Sequence, residues 1–188
     1  MKKISTLYKK DPNDLGRVIN EINPENAWVF ESGIPTRKFD GTACAIINGE
    51  LYKRYDVKYG KKVPENAIPC QEPDEITGHH PHWIKCDRND NSNKYHFEAF
   101  DKLSEKVDGT YEAIGEKLQG NPEHIVGHEL IKHGCEILPI SDFSFEGLKD
   151  YLSKYENDIE GIVFHDSKSD KMCKIRKCDF GIKRLRSF

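Results

Sequence analysis

No stretch of this sequence stays apolar for anything near the ~20 residues a membrane-spanning helix needs, so no membrane partner is expected. The start, Met1-Lys2-Lys3-Ile4-Ser5, lacks the apolar core of a secretion signal. A cytoplasmic location follows, or a nuclear one if the source is eukaryotic. The six cysteines (Cys44, Cys70, Cys86, Cys135, Cys173 and Cys178) have no CxxC spacing, which in a chain without an export signal excludes a disulfide scaffold in favour of free thiols. Internal repeats and low-complexity tracts are missing too. Nor is there an excess of positive charge. With a formal net charge of -3 the molecule is not a polycation that adheres to any nucleic acid, and RNA binding would need its positive charge concentrated locally.

What is present suits one polar globular domain, spanning 1–188 and expected to be monomeric: 36% of its 188 residues are hydrophobic and 32% charged. Asn48-Gly49 between Thr42–Ile47 and Glu50–Tyr55 is a strong two-residue hairpin signal. A second hairpin is suggested by Ile159–His165 and Lys171–Lys177 around the polar turn Asp166-Ser167-Lys168-Ser169-Asp170. Phe145, Leu148, Leu152 and Tyr155 recur at helical spacing behind a capping Ser144, and another helix is expected from about Tyr95 to Lys106. Strand pairs broken by single helices predict an α+β fold with antiparallel sheet. The stretch 57–93, rich in Pro, Asn, Asp, Lys and His, reads as a loop-rich insertion.

Positive charge does concentrate in one place. Lys171, Lys174, Arg176, Lys177, Lys183, Arg184 and Arg186 stand against the single acid Asp179, although the last six residues of the chain read equally well as a solvated tail. Just before the first hairpin lies Lys38-Phe39-Asp40-Gly41-Thr42, a KxDG motif that by itself reads as a solvated turn. Its companions change its weight. Folding the hairpin on Asn48-Gly49 sets Ile47 against Glu50 and Ala43 against Arg54, so a cation emerges beside the lysine motif over small residues. If the second hairpin turns on five residues, Ile162 opposes Lys174 and Glu160 opposes Arg176 on one face; a turn of another length breaks that register.

This set suits nucleotidyl transfer through lysine. A free lysine has a pKa of about 10.4 and is almost wholly protonated at pH 7. Neighbouring cations disfavour its charged form and so promote the nucleophile. The same cations (Lys174, Arg176, Arg54) can hold a triphosphate and offset charge at the attacked phosphorus. A hard divalent ion, Mg²⁺ or Mn²⁺, prefers carboxylate and water ligands, and Glu160 is the natural metal-side acid. Such carboxylates read equally as salt-bridge partners of the cations.

In order, KxDG, a downstream Arg, a central Glu motif, EGIV and a basic K-x-K/R strand resemble motifs I, Ia, III, IV and V of the covalent nucleotidyltransferase superfamily of DNA ligases, RNA ligases and capping guanylyltransferases. Finer features resemble its ATP-dependent 5′-to-3′ RNA ligases of the vertebrate type: Thr36-Arg37-Lys38-Phe39-Asp40-Gly41-Thr42, Gly109-Thr110-Tyr111-Glu112-Ala113-Ile114-Gly115, Gly120-Asn121-Pro122, Leu130-Ile131-Lys132-His133-Gly134 and Ile159-Glu160-Gly161-Ile162-Val163-Phe164-His165. The similarity runs from about Trp28 to Gly181. It implies a minimal nucleotidyltransferase (adenylation) domain with antiparallel sheets around the nucleotide site and no OB domain.

It implies, further, that Lys38 is adenylated by ATP and that Asp40 helps orient or deprotonate it. Thr36 and Arg37 would lie near adenine or phosphates, and Arg54 would contact AMP or the RNA 5′-phosphate. Glu112 would bind the ribose hydroxyls, Glu160 the metal, and Ile162 would lie against adenine. Lys174 and Arg176 would grip the phosphates; many relatives have Lys where Arg176 stands. His133 would stack on the other adenine face, and by itself reads equally as closing a turn before Gly134. The function so implied joins RNA 5′-phosphate and 3′-hydroxyl ends through lysyl-AMP. A capping-type guanylyltransferase and a non-catalytic RNA-end-binding module are the alternatives. Cys70, His79, His80, His82 and Cys86 fit no standard structural zinc spacing, so a surface loop docked through His82-Trp83-Ile84 is expected there.

Overall fold

The computed structural model describes residues 4–74 and 78–184; Met1-Lys2-Lys3 and, within the basic stretch, Arg186 lie outside them. In chain order the elements are β1 (Tyr8–Asp11), β2 (Asp14–Ile22), α1 (Val29–Ser32), β3 (Gly33–Lys38), β4 (Thr42–Ile47), β5 (Glu50–Val57), β6 (Ile68–Pro69), β7 (His80–Lys85), α2 (Lys94–Asp101), β8 (Gly109–Gly115), β9 (His128–Lys132), α3 (Phe145–Ser153), β10 (Gly161–Asp166) and β11 (Met172–Arg176). The fold is mixed α/β, mostly antiparallel sheet with few helices. Two compact units emerge: a continuous one, 40–133, and a discontinuous one built from 4–39 and 134–184.

The continuous unit holds a six-stranded sheet in the order β6-β7-β5-β4-β8-β9. Asn48 and Gly49 are both left-handed, as a two-residue hairpin turn demands, and Ile47 faces Glu50 as expected. The Asp108 carboxylate accepts both turn N–H groups, at 2.8 and 3.0 Å. Alternation along the strands buries Cys44, Ile46, Leu51, Tyr111, Ala113 and Leu130 on one face, where Ala99 and Phe100 of α2 join them. α2 stops at Asp101 rather than near Lys106. Beyond it only Leu103 and Val107 are apolar, and Val107 is exposed, so nothing drives another buried turn. Within the loop-rich stretch β7 pairs with β5 from Tyr52↔Lys85 to Val57↔His80.

In the discontinuous unit β10 lies between β11 and β3, with hairpin β1–β2 alongside. Ser144 caps α3 by accepting the Gly147 N–H, and Leu148 and Leu152 are wholly buried against Ile162, Phe164, Cys173 and Ile175. Tyr155, the last of the expected helical apolar residues, falls beyond α3 and is exposed.

The β10–β11 register differs from expectation by one residue. Ile162 opposes Ile175, Val163 opposes Lys174 and Gly161 opposes Arg176, because the turn between His165 and Met172 takes six residues. The cause is parity. Setting Ile162 against Lys174 would have brought a lysine to the core face, whereas the observed register aligns Ile162 and Phe164 with Ile175 and Cys173, all four wholly buried.

Candidate active site

The register decides which side chains share a face. On β10, Gly161 lies between Lys38 of β3 and Arg176 of β11, and Val163 lies between Thr36 and Lys174. Opposed residues project to the same side of a sheet. Lys38, Thr36, Lys174 and Arg176 therefore line one face, with Glu160 entering at the head of β10. Lys38 Nζ donates to Glu160 Oε2 at 2.5 Å, both side chains being partly exposed. Gly161 keeps this arrangement open. A Cβ there would come within 2.4 Å of Ile175 O and 2.7 Å of Arg176 Cα, so no side chain fits between the two cations.

Lys174 is the most perturbed group of the face. Burial first, then the cations Arg176 and Lys38, push its pKa down to about 8, with Asp179 and Glu160 acting the other way. Arg176 is anchored from behind. Wholly buried Asp179 accepts from Arg176 Nη2 at 3.0 Å, Arg176 Nε at 3.3 Å and the Arg176 backbone N–H at 2.9 Å. It also accepts from Lys10 Nζ at 2.7 Å. Burial acts to raise the Asp179 pKa, but the hydrogen bonds from Arg176 and Lys10 outweigh it and hold the carboxyl below the usual range. Lys10 reaches it from an irregular point of the β1–β2 pairing, where a bulge re-aims side chains. Lys177, also of the basic stretch, is buried and paired to Asp158 at 2.9 Å.

Two expected contacts fall on the wrong side. Arg37 and Ile162 oppose each other, one residue out of phase with Lys38 and Gly161. Ile162 is wholly buried in the core, and Val163 is the β10 residue on the Lys38 face. Arg37 lies over the Phe39 ring and reaches Glu136 at 3.4 Å. Thr36 is on the Lys38 face but donates its hydroxyl to Val163 O at 3.0 Å, inside the sheet.

Asp40, Arg54, Glu112 and His133 belong to the continuous unit. Glu112 is nearly buried on β8; its carboxylate accepts the Gly41 N–H at 3.1 Å and contacts His133 Nε2 at 2.9 Å. The other ring nitrogen of His133 meets Thr110 Oγ1 at 2.9 Å, which fixes the imidazole at the end of β9. Glu123, nearly buried, accepts the Asp40 N–H at 2.9 Å. Arg54 reaches Asp56 Oδ1 at 3.2 Å. In the histidine-rich segment His82 and Trp83 are buried and Ile84 half-buried, and among the described residues no group of three or more His, Cys, Asp or Glu is placed to hold a metal ion.

Comparison with known proteins adds no relative: no protein-family model matches the chain, and a search of curated proteins finds no match. Sequence reasoning missed Lys10, Asp179, Glu123 and Thr110. Asp179 alone had a signal, a single acid among seven cations. Lys10 had none.

Proposed function

We propose that this protein is an ATP-dependent RNA ligase, a minimal nucleotidyltransferase domain that joins RNA 5′-phosphate and 3′-hydroxyl ends through a lysyl-AMP intermediate. The observation that carries the reading is the Lys38–Glu160 pair beside Lys174 and Arg176 on one sheet face. A lysine nucleophile must first lose a proton, and Glu160 Oε2 is within reach to take it. The neutral amine attacks the α-phosphorus of ATP. A P–N bond forms, the bond to the bridging oxygen breaks, and pyrophosphate leaves with the electron pair. Lys174 and Arg176 offset the charge on the phosphates during this displacement. An RNA 5′-phosphate oxygen then displaces Lys38, which recovers its proton, and a 3′-hydroxyl finally displaces AMP.

Glu160 would also hold Mg²⁺ or Mn²⁺, whose chemistry is to neutralise phosphate charge. The residues fit such an ion. Mg²⁺ binds through one or two carboxylates with phosphates and water rather than through an all-protein cage, and the partly exposed Glu160 carboxylate is one ligand of that kind. The same reading gives Glu112 the ribose hydroxyls, His133 the base, Asp40 a part in orienting Lys38, and Arg54 the AMP or RNA 5′-phosphate. Arg37 and Ile162 receive no nucleotide contact in it.

Intact-mass measurement after incubation with ATP and Mg²⁺ is the test. One added AMP is expected, reduced at least about a thousandfold in rate in Lys38→Ala, as for loss of a nucleophile. A parallel incubation with GTP separates the alternatives. An adduct from GTP alone would replace the ligase reading by a guanylyltransferase, and RNA binding without any adduct would leave an end-binding module.

A further inference from the structure

A second concentration of positive charge lies on the continuous unit, at the end of β5 and in the turn after it. Lys53-Arg54-Tyr55-Asp56-Val57-Lys58-Tyr59-Gly60-Lys61-Lys62 carries five cations and one acid, in a chain whose net charge is -3. Two of the cations already have partners: Lys53 reaches Asn93 at 2.7 Å, and Arg54 pairs at the surface with the one acid, Asp56. The other three, Lys58, Lys61 and Lys62, are exposed and form no ion pair among the described residues. The turn is closed by the Lys61 N–H donating to Lys58 O at 3.0 Å, and no acid occurs between Val57 and Pro64.

Aromatic surface accompanies the charge. Tyr55 is 49% exposed and Tyr59 84%, an unusual exposure for rings of that size. Tyr59 lies close beside Gly78, where an added Cβ would come within 2.6 Å of Tyr59 Cδ2. An open ring flanked by exposed lysines has the two elements of single-strand recognition: a surface on which a base can stack and cations that track phosphates.

We propose that Tyr59, with Lys58, Lys61, Lys62 and Tyr55, forms a binding surface for single-stranded RNA. The inference rests on the ligase reading only for the choice of RNA as the polynucleotide. Charge complementarity sets the partner's sign, and the exposed rings favour bases over an acidic peptide. Because the first ligase step consumes ATP alone, the surface and the Lys38 chemistry are separable by experiment.

The test measures fluorescence anisotropy of a 5′-phosphorylated single-stranded oligoribonucleotide at several salt concentrations, with intact-mass adenylation recorded on each protein. Replacing Lys58, Lys61 and Lys62 together by Gln is expected to flatten the log–log salt slope by about 2, the value for three lost phosphate contacts on a single strand. Tyr59→Ala is expected to lose about tenfold in affinity at unchanged salt slope, as for one lost base stack. Both variants should form the AMP adduct at the wild-type rate. RNA binding unchanged in both variants would overturn the proposal, as would polyglutamate competing as well as RNA of equal charge. A wild-type protein that binds RNA through these residues but forms no adduct would overturn the ligase reading and leave this surface standing.

Discussion

The two units build their polar sites from opposite materials. In the discontinuous unit the site face is cationic, and its carboxylates serve the cations: Glu160 holds Lys38, and Asp179 holds Arg176 and Lys10. In the continuous unit the carboxylates lead. Glu112 and Glu123 accept backbone N–H groups from Gly41 and Asp40, and Glu112 also meets a histidine rather than a lysine or arginine. The first arrangement offers charge to an anion, while the second offers acceptors to hydroxyl and N–H donors. Burial disfavours both charges, and their partners decide the outcome: Lys174, with Arg176 and Lys38 beside it, is pushed down to about 8, whereas Asp179 stays ionised because Arg176 and Lys10 hydrogen-bond to it.

The comparison is most sharply broken at Asp179. Asp179→Ala strips a buried counter-charge from Arg176 and Lys10 and is expected to cost about 3–5 kcal/mol of stability, the usual range when one partner of a buried pair is removed. Urea unfolding would check it; a loss below about 1 kcal/mol would mean the triad is no more than a surface pair. Glu112→Gln tests the acceptor side. It is expected to raise the apparent KM for ATP about tenfold, the size of one hydrogen bond to a charged group, with kcat for adenylation nearly unchanged. An equal fall in kcat would place Glu112 in the chemistry instead.

The smallest effect is a pH dependence. Burial disfavours the charged form of Lys174, so the amine is cationic below about 8 and neutral above. Attraction for phosphate goes with the charge. ATP affinity should therefore fall by up to about fivefold as pH rises through 8, within the span of one ion pair. Lys174→Arg should abolish the fall, since arginine does not titrate there.

How far the sequence could be read depended on turn chemistry. Asn48-Gly49 admits one hairpin geometry, so the register of β4 against β5 followed from two residues. The polar run Asp166–Asp170 fixes no turn length, and the β10–β11 register came out one residue away. The alternation of Cys173 and Ile175 with Lys174 and Arg176 held the missing information, because only a register that sets the apolar pair against Phe164 and Ile162 keeps both lysine and arginine off the core face. That same slip hid the position of Ile162, while the face of Arg37 follows from the β3–β10 pairing, for which the sequence offered no turn to read. The charges of the Lys38 face were legible as types in order along the chain. Their anchoring was not, because Lys10 and Asp179 stand 169 positions apart.

That separation bears on how the protein is made. Lys174 exchanges hydrogen bonds with Ser5 and Leu7, its N–H reaching Ser5 O and its carbonyl receiving the Leu7 N–H, while Lys10 waits on Asp179. On a ribosome the continuous unit is complete once residue 133 has emerged and can begin to fold as synthesis proceeds. The sheet bearing Lys38 cannot close until β11 has followed it out, so Ser5 and Leu7 wait for Lys174 while the whole continuous unit is made. The cation face is completed only after the continuous unit, and a nascent chain stalled short of Asp179 would carry the KxDG lysine beside an Arg176 that has lost its anchor.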